Sequence, residues 1–185
     1  MTYKNFVYFG LAGLILSACS EASAPKNEGG TQAPTELNQS IKSADGSTLG
    51  NLKLTDLGAE GTKVTVTVAG ISPGVHAMHF HEIGACVAPD FKSSGGHYNP
   101  AGVSHGTKMA DGPHAGDMMN VTVSEDGSGE FTVINEQVSI NGDHGLHPLL
   151  DSDGTALVLH AKADDYESQP SGAAGARIGC AVIGQ

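Results

Sequence analysis

The chain has 185 residues with 39% hydrophobic content, which suffices for one domain and one core but not comfortably for two. A net charge of −11 and a single arginine, Arg177, exclude a typical nucleic-acid binder, because phosphate backbones are bound by clustered Lys and Arg. Aromatic residues make up only 5%, tryptophan is absent and Gly reaches 26 residues, so the composition favours short aliphatic strands joined by turns.

The N-terminus has the pattern of an export signal. Lys4 precedes an apolar run over residues 6–16, which is shorter than a bilayer-spanning helix requires. The tetrapeptide Leu-Ser-Ala-Cys at residues 16–19 resembles the lipobox of bacterial lipoproteins, in which the cysteine receives a lipid. We therefore interpret residues 1–18 as a lipoprotein signal peptide; the alternative is an ordinary signal peptide that is cut elsewhere, with Cys19 incidental.

Residues 19–36 are predicted to be a flexible tether. They are rich in Ser, Ala, Pro, Gly, Asn, Gln and Thr and show no apolar periodicity. A lipid on Cys19 would hold the protein to a membrane of the cell envelope, on the periplasmic side. Ser20, rather than Asp, slightly favours the outer membrane.

The three cysteines divide by position. Cys19 is the candidate lipidation site, whereas Cys86 and Cys180 lie in the globular part. An exported protein meets oxidising conditions, so the last two can pair. In the chain-entropy model, closing the long loop between Cys86 and Cys180 corresponds to roughly 4–5 kcal/mol of stabilisation.

The globular domain is predicted over residues 37–185 as an all-β sandwich or barrel. Alternating or β-branched runs recur there, and Asp-Gly pairs separate several of them. Two irregular stretches, residues 82–116 and 162–176, are expected to be long functional loops. The eight predicted strands cover residues 37–42, 50–54, 63–69, 76–81, 120–124, 129–133, 157–161 and 180–183.

The strand at 76–81 indicates a metal site. Side chains alternate along a strand, so His79 and His81 share one face, about 7 Å apart. His76 falls on the opposite face with Met78 and Phe80, and we expect it to be a hydrogen-bonded interior histidine.

A long loop supplies further ligands. His97, His105, His114 and Asp117 offer three nitrogens and one carboxylate, a set suited to tetrahedral zinc. His160, with His79 and His81, would hold a second ion, and imidazole-rich sites suit copper. The alternative is a histidine-rich surface loop without a fixed metal.

Five motifs resemble those of copper/zinc superoxide dismutases, in the order of that family. The resemblance implies an eight-stranded Greek-key β-barrel that converts superoxide to oxygen and hydrogen peroxide through a Cu(II)/Cu(I) cycle. The lipidated N-terminus is similar to the exported bacterial branch. The motifs are VHAMHFHE at residues 75–82, GGHYNP at 95–100, HAGD at 114–117, LVLHAKADD at 157–165 and ARIGCAVIG at 176–184.

The resemblance also implies roles for residues. His97 is shared by both ions, and its ring takes up a proton when the bridge opens on the copper side. Asp164 hydrogen-bonds one histidine of each ion, here His79 and His105. Cys86 and Cys180 match the family's disulfide. The implied copper ligands are His79, His81, His97 and His160, and the implied zinc ligands are His97, His105, His114 and Asp117.

Arg177 is implied to pair with the superoxide anion, although an arginine is usually only a surface charge. Animal members also steer the anion with a lysine in the late loop, but residues 163–176 contain no Lys or Arg. Lys92 or Lys108 is the candidate substitute, against the alternative that both are solvated surface lysines.

A non-catalytic copper/zinc-binding lipoprotein is the alternative function, and the sequence leaves open whether the protein forms a homodimer.

Overall fold

A computed structural model describes residue 2 and residues 35–184 of the chain. The described residues contain no α-helix, and so they contain no helix that is long and apolar enough to cross a membrane. Three short 3₁₀ turns occur at Gly58–Glu60, Lys92–Ser94 and Asp143–Gly145. The strands are β1 (Glu36–Ser43), β2 (Thr48–Asp56), β3 (Thr62–Val68), β4 (Gly74–His76), β5 (Met78–His81), β6 (Val121–Val123), β7 (Gly129–Asn135), β8 (Val138–Ser139), β9 (His147–Pro148), β10 (Thr155–His160) and β11 (Arg177–Ile183).

Seven of these strands form one antiparallel sheet in the order β5-β10-β11-β1-β2-β3-β7. Strand β4 directly precedes β5, the strand at one edge of this sheet, and pairs with β6. A turn then connects β6 to β7, the strand at the other edge. The sheet therefore curls back towards itself around one core. The predicted all-β Greek-key barrel is confirmed.

Aliphatic residues build this core, as the lack of tryptophan requires. In β3 the burial alternates strictly, so Thr62, Val64, Val66 and Val68 face inward while Lys63, Thr65 and Thr67 do not. This period of two is that of a half-buried strand. Met78 and Phe80 of β5 are fully buried in the same cluster, as predicted.

Three details differ from the sequence prediction. The strand expected at 76–81 is broken at Ala77, whose N–H bonds the carbonyl of Lys162 in the late loop. A short parallel pair, β8 with β9, was not predicted, because two-residue strands carry no detectable period. β11 begins at Arg177, three residues earlier than expected. The predicted signal peptide and tether (1–18 and 19–36) lie outside the described residues, apart from residues 2, 35 and 36.

The predicted disulfide between Cys86 and Cys180 is present, with the Cα atoms 5.8 Å apart. Cys180 is fully buried in a small cluster with Phe91 and Val158. The bridge therefore fastens the loop over residues 82–116 to the middle of β11.

Candidate metal centre

Two neighbouring strands place three buried histidines together. β5 carries His79 and His81 on one face, and it pairs antiparallel with β10, which ends at His160. The Nε2 atoms of His81 and His160 are 3.4 Å apart. With His97 these residues form a group of four whose candidate ligand atoms all lie within 4.8 Å of one another.

His76 lies outside this group. Its Nδ1 is 2.8 Å from the carbonyl oxygen of His160 and its Nε2 is 2.8 Å from that of Ser72. Since His76 is 3% exposed, it is the interior hydrogen-bonded histidine that the strand alternation predicts.

The early loop reaches the strands through main-chain hydrogen bonds. The Tyr98 N–H donates to the Phe80 carbonyl at 2.8 Å, and the Phe80 N–H donates to the Gly116 carbonyl at 2.9 Å. These bonds set two isolated bridges, which place His97 beside His81 and Asp117 beside His79. A loop without regular structure is thus held in register against β5.

Asp117 is the centre of a second group. Its Oδ1 is 2.9 Å from His97 Nδ1, 3.0 Å from His105 Nδ1 and 3.3 Å from His114 Nδ1. All four side chains are at least nine-tenths buried. The arrangement presents three nitrogens and one carboxylate to a common point, which is the donor set of tetrahedral zinc.

His79 also lies within 4.8 Å of the ligand atoms of His97, His105 and Asp117, so it competes with His114 for the second group. The Nε2 of His79 is engaged by Asp164 at 2.8 Å, which leaves Nδ1 alone to serve an ion. Removing that atom from the first group would reduce it to three residues. The chemistry therefore favours His79 in the first group and His114 in the second.

Three buried ring nitrogens have no hydrogen-bond partner in the described part of the chain: His79 Nδ1, His97 Nε2 and His114 Nδ1. A buried polar atom without a partner costs free energy, typically 1–3 kcal/mol. An imidazole lone pair without a hydrogen-bond donor is what a metal ion requires. On His97 the orphaned Nε2 and the Asp117-facing Nδ1 serve different groups. The residues fit one copper ion and one zinc ion that share His97.

Asp164 lies between the two groups. Its Oδ2 accepts from His79 Nε2 at 2.8 Å, and its Oδ1 accepts from His105 Nε2 at 3.0 Å. Burial opposes the charge, but the hydrogen bonds from His105 and His79 hold the pKa of Asp164 below its usual range. A carboxylate in this position fixes ring orientation and directs the opposite nitrogen of each ring to an ion.

The two groups differ in electrostatics when no metal is bound. Burial, aided by neighbouring imidazoles, lowers the pKa of His81 to about 2 and that of His160 to about 3. Burial likewise lowers the pKa of His97 to about 4. For His105, hydrogen bonds that the ring donates to Asp117 and Asp164 outweigh burial and raise the pKa to about 9. His81, His97 and His160 are thus neutral at pH 7, whereas His105 carries a proton, shared with Asp117 and Asp164, that a cation can replace.

We expect acidification to destabilise the metal-free protein. Below a pH of about 6.5, which is the histidine pKa in an unfolded chain, His81, His97 and His160 are protonated in the unfolded state but stay neutral in the folded state. The free energy of unfolding therefore falls as pH falls. His105 acts oppositely, since its contribution is complete below about 6.5 and is lost as pH rises to about 9. Because three histidines outweigh one, the free energy of unfolding should fall by a few kcal/mol between pH 7 and pH 5.

Urea unfolding of the chelator-treated protein at several pH values measures this effect. The metal-loaded protein is the control, because metals compete with protons for the same nitrogens and should move the fall to lower pH. A urea midpoint that stays constant from pH 7 to pH 5 would contradict the expectation.

Arg177 begins β11 and pairs in register with His160. Its Nη1 donates to the Phe91 carbonyl at 2.7 Å and to Ser94 Oγ at 3.0 Å, and its Nη2 donates to the Gly95 carbonyl at 2.7 Å. Burial lowers the pKa of Arg177, yet a guanidinium keeps its charge at neutral pH. A fixed cation thus stands beside the histidines.

The two candidate steering lysines are exposed and paired. Lys92 Nζ is 2.9 Å from Asp90 Oδ2, and Lys108 Nζ is 3.6 Å from Glu167 Oε2. In each pair the carboxylate offsets the charge of the lysine, and an exposed ion pair contributes little to stability. The arrangement favours the alternative that both lysines are solvated surface residues.

Several residues around the centre gave no signal in the sequence. Ser94, which is fully buried, supports Arg177, and Gln169 bonds the main chain of His105. Gly172 has φ +65°, and a Cβ there would lie 1.8 Å from Asp164 Oδ1. Glycine is therefore required where the late loop crosses the bond between Asp164 and His105. Such contacts join residues far apart in the chain, and no local period records them.

The model of the copper/zinc superoxide dismutase family matches residues 48–183. The chain therefore belongs to the copper/zinc superoxide dismutase family. It is 40% identical to a superoxide dismutase [Cu-Zn] of Caulobacter vibrioides, over 77% of this chain and 82% of that protein. It is 39% identical to superoxide dismutase [Cu-Zn] 2 of Aquifex aeolicus, over 75% and 81%.

Solved structures agree on the fold. A superoxide dismutase-like protein from Bacillus subtilis superposes with a TM-score of 0.75 at 34% identity, over 79% of this chain and 97% of that one. The Cu/Zn superoxide dismutase from Brucella abortus superposes with a TM-score of 0.64 at 24% identity, over 80% and 99%, and supports the fold alone.

Proposed function

We propose that this protein is a superoxide dismutase that converts superoxide to oxygen and hydrogen peroxide. The observation that carries the proposal is the set of orphaned, buried nitrogens on His79, His97 and His114, which face two adjacent groups of ligands beside the fixed charge of Arg177. Membership of the copper/zinc family agrees with it.

The first group would hold copper and the second would hold zinc. Bound copper would supply a cycle between Cu(II) and Cu(I), which takes an electron from one superoxide and gives it to the next. The copper ligands are His79, His81, His97 and His160, and the zinc ligands are His97, His105, His114 and Asp117.

The protein's own residues supply orientation and a proton. Asp164 bonds the far nitrogens of His79 and His105, so the remaining nitrogen of each ring is directed at an ion. His97 belongs to both groups, and its Nε2, on the side of the ring away from Asp117, is buried and has no other partner. It is therefore the atom at which a proton is held for peroxide formation, while Asp117 keeps the other side of the ring in place.

Reconstitution tests the proposal. The domain without its N-terminal segment, loaded with copper and zinc, should suppress dye reduction driven by a superoxide source, and elemental analysis should find both metals. Full metal content without suppression would favour the non-catalytic copper/zinc-binding lipoprotein instead.

Arg177 is the residue that receives the substrate anion, so we expect Arg177→Ala to lower the second-order rate about 10- to 100-fold. Hydrogen bonds to charged groups are worth about 1.5–3 kcal/mol, and 1.4 kcal/mol is tenfold. Arg177→Lys keeps the charge but loses the planar fork that the Phe91 and Gly95 carbonyls hold. Its second-order rate should therefore lie between those of wild type and Arg177→Ala. The rate at several ionic strengths, with metal content, is the measurement; an unchanged rate in Arg177→Ala would remove the role.

The lipid anchor is part of the proposal. The sequence around Cys19 supports lipidation and a location in the cell envelope, with Ser20 slightly favouring the outer membrane, and a structural disulfide is typical of an oxidising compartment of that kind. Growth with a labelled fatty acid should label the wild-type protein and not Cys19→Ala. Labelling that persists in the variant would exclude Cys19 as the anchor.

A further inference from the structure

We propose that Gln169 is a positioning residue for the zinc side of the centre, where it holds the main chain of His105. The side-chain amide forms a reciprocal pair of hydrogen bonds across 64 residues of sequence. The His105 N–H donates to Gln169 Oε1 at 2.9 Å, and Gln169 Nε2 donates to the His105 carbonyl at 2.9 Å. The proposal rests on the assignment of zinc to the group around Asp117.

His105 needs such support because of where it lies in the fold. His79, His81 and His160 stand on paired strands, whose ladders hold their main chains. His105 lies in the irregular loop over residues 82–116, away from any strand of the described chain. Both of its main-chain polar groups bond to Gln169, so this one amide takes the place of a ladder.

The position of this main chain governs the zinc ligand geometry. The His105 ring is fully buried, with Nδ1 3.0 Å from Asp117 Oδ1 and Nε2 3.0 Å from Asp164 Oδ1. Both ring nitrogens are thus committed, and a shift of the main chain would break one bond or the other. Partners of this kind, one step behind the ligands, typically change metal affinity 10- to 100-fold when they are lost.

The orientation of the amide is determined by its neighbours. Gln169 Nε2 also donates to the Glu167 carbonyl at 2.9 Å. Two carbonyls therefore face the NH₂ group and one N–H faces the oxygen, which agrees with the donor and acceptor capacity of an amide. The residue itself is exposed, although the bonds to His105 are partly buried, so we expect an effect near the lower end of that range.

The same two loops offer a matched control. Glu167 pairs with Lys108 at 3.6 Å, and both side chains are exposed. Glu167→Ala thus removes a contact between the loops without removing either bond to the His105 main chain.

The test compares Gln169→Ala, Gln169→Glu and Glu167→Ala in the full domain. Zinc affinity is measured by competition with a chelator, and Co²⁺ bound in place of zinc reports ligand geometry through its visible absorption. We expect Gln169→Ala to bind zinc about tenfold more weakly, with an altered Co²⁺ spectrum. Gln169→Glu keeps the acceptor but loses the donor and should be intermediate. Glu167→Ala should stay within about twofold of wild type, because exposed ion pairs contribute little.

Thermal unfolding separates positioning from general loop stability. A purely structural role would lower the melting temperature equally with and without zinc, whereas a positioning role lowers the zinc-loaded protein more. Equal zinc affinity and Co²⁺ spectra in Gln169→Ala and Glu167→Ala would overturn the proposal. Should Gln169→Ala fail to fold, wild-type affinity in Gln169→Glu would overturn it equally. None of these three readouts uses superoxide, so a failure of the dismutase proposal is seen separately.

Discussion

His97→Ala should abolish superoxide dismutase activity, with a loss greater than about 100-fold. Loss of a partner that merely orients a ligand already costs about 10- to 100-fold. His97 belongs to both groups, with Nδ1 2.9 Å from Asp117 Oδ1 and Nε2 buried without another partner. Its removal takes a ligand from each ion and also takes the proton-carrying atom from the reaction.

The measurement is the dye-reduction rate together with copper and zinc content. His144→Ala is the matched control, because His144 is an exposed histidine outside both ligand groups and its loss should leave the rate unchanged. A His97→Ala protein that retains both metals and more than a tenth of the wild-type rate would contradict the shared-ligand assignment.

Removal of the disulfide should produce the largest loss of stability. The double variant Cys86→Ser, Cys180→Ala opens a loop with a sequence separation of 94 residues. In the chain-entropy model a closed loop of that size contributes about 4–5 kcal/mol to the free energy of unfolding. That is a large fraction of the 5–15 kcal/mol by which folded domains are typically stable.

Urea unfolding of the metal-free protein measures this loss directly. Val87→Ala is the control, because Val87 neighbours Cys86 but is 65% exposed, and it should leave the midpoint almost unchanged. A double variant within about 1 kcal/mol of wild type would show that the bridge adds little to the free energy of unfolding, contrary to the chain-entropy estimate.

The disulfide variant should also lose activity beyond its loss of stability. The loop that Cys86 fastens to β11 provides the Phe91 and Gly95 carbonyls that hold the guanidinium of Arg177. Once this loop is released, the cation is no longer fixed beside His160. Metal-loaded double variant, assayed at a temperature where it remains folded, should therefore show a lower rate and a weaker dependence on ionic strength.

Local pattern was sufficient for the positions of most of the longer strands and for part of the site. Period-two alternation over residues 76–81 predicted that Met78 and Phe80 face the core, that His79 and His81 share the other face, and that His76 is an interior hydrogen-bonded histidine. It works because a strand side chain can point in only two directions. The cysteine positions likewise predicted the pairing of Cys86 with Cys180.

The sequence by itself therefore determined the chemical types of the ligands, the fold class and, through motifs, the family. The motifs also implied that Asp164 bonds His79 and His105, and the structure shows both contacts. Only the tertiary structure decided that the loop residue His97 lies beside His81 on the strand and that Gln169 bonds the His105 main chain. The physical reason is that the two long loops have no repeating backbone geometry. Their positions depend on single hydrogen bonds between distant residues, and these bonds leave no periodic trace in the chain.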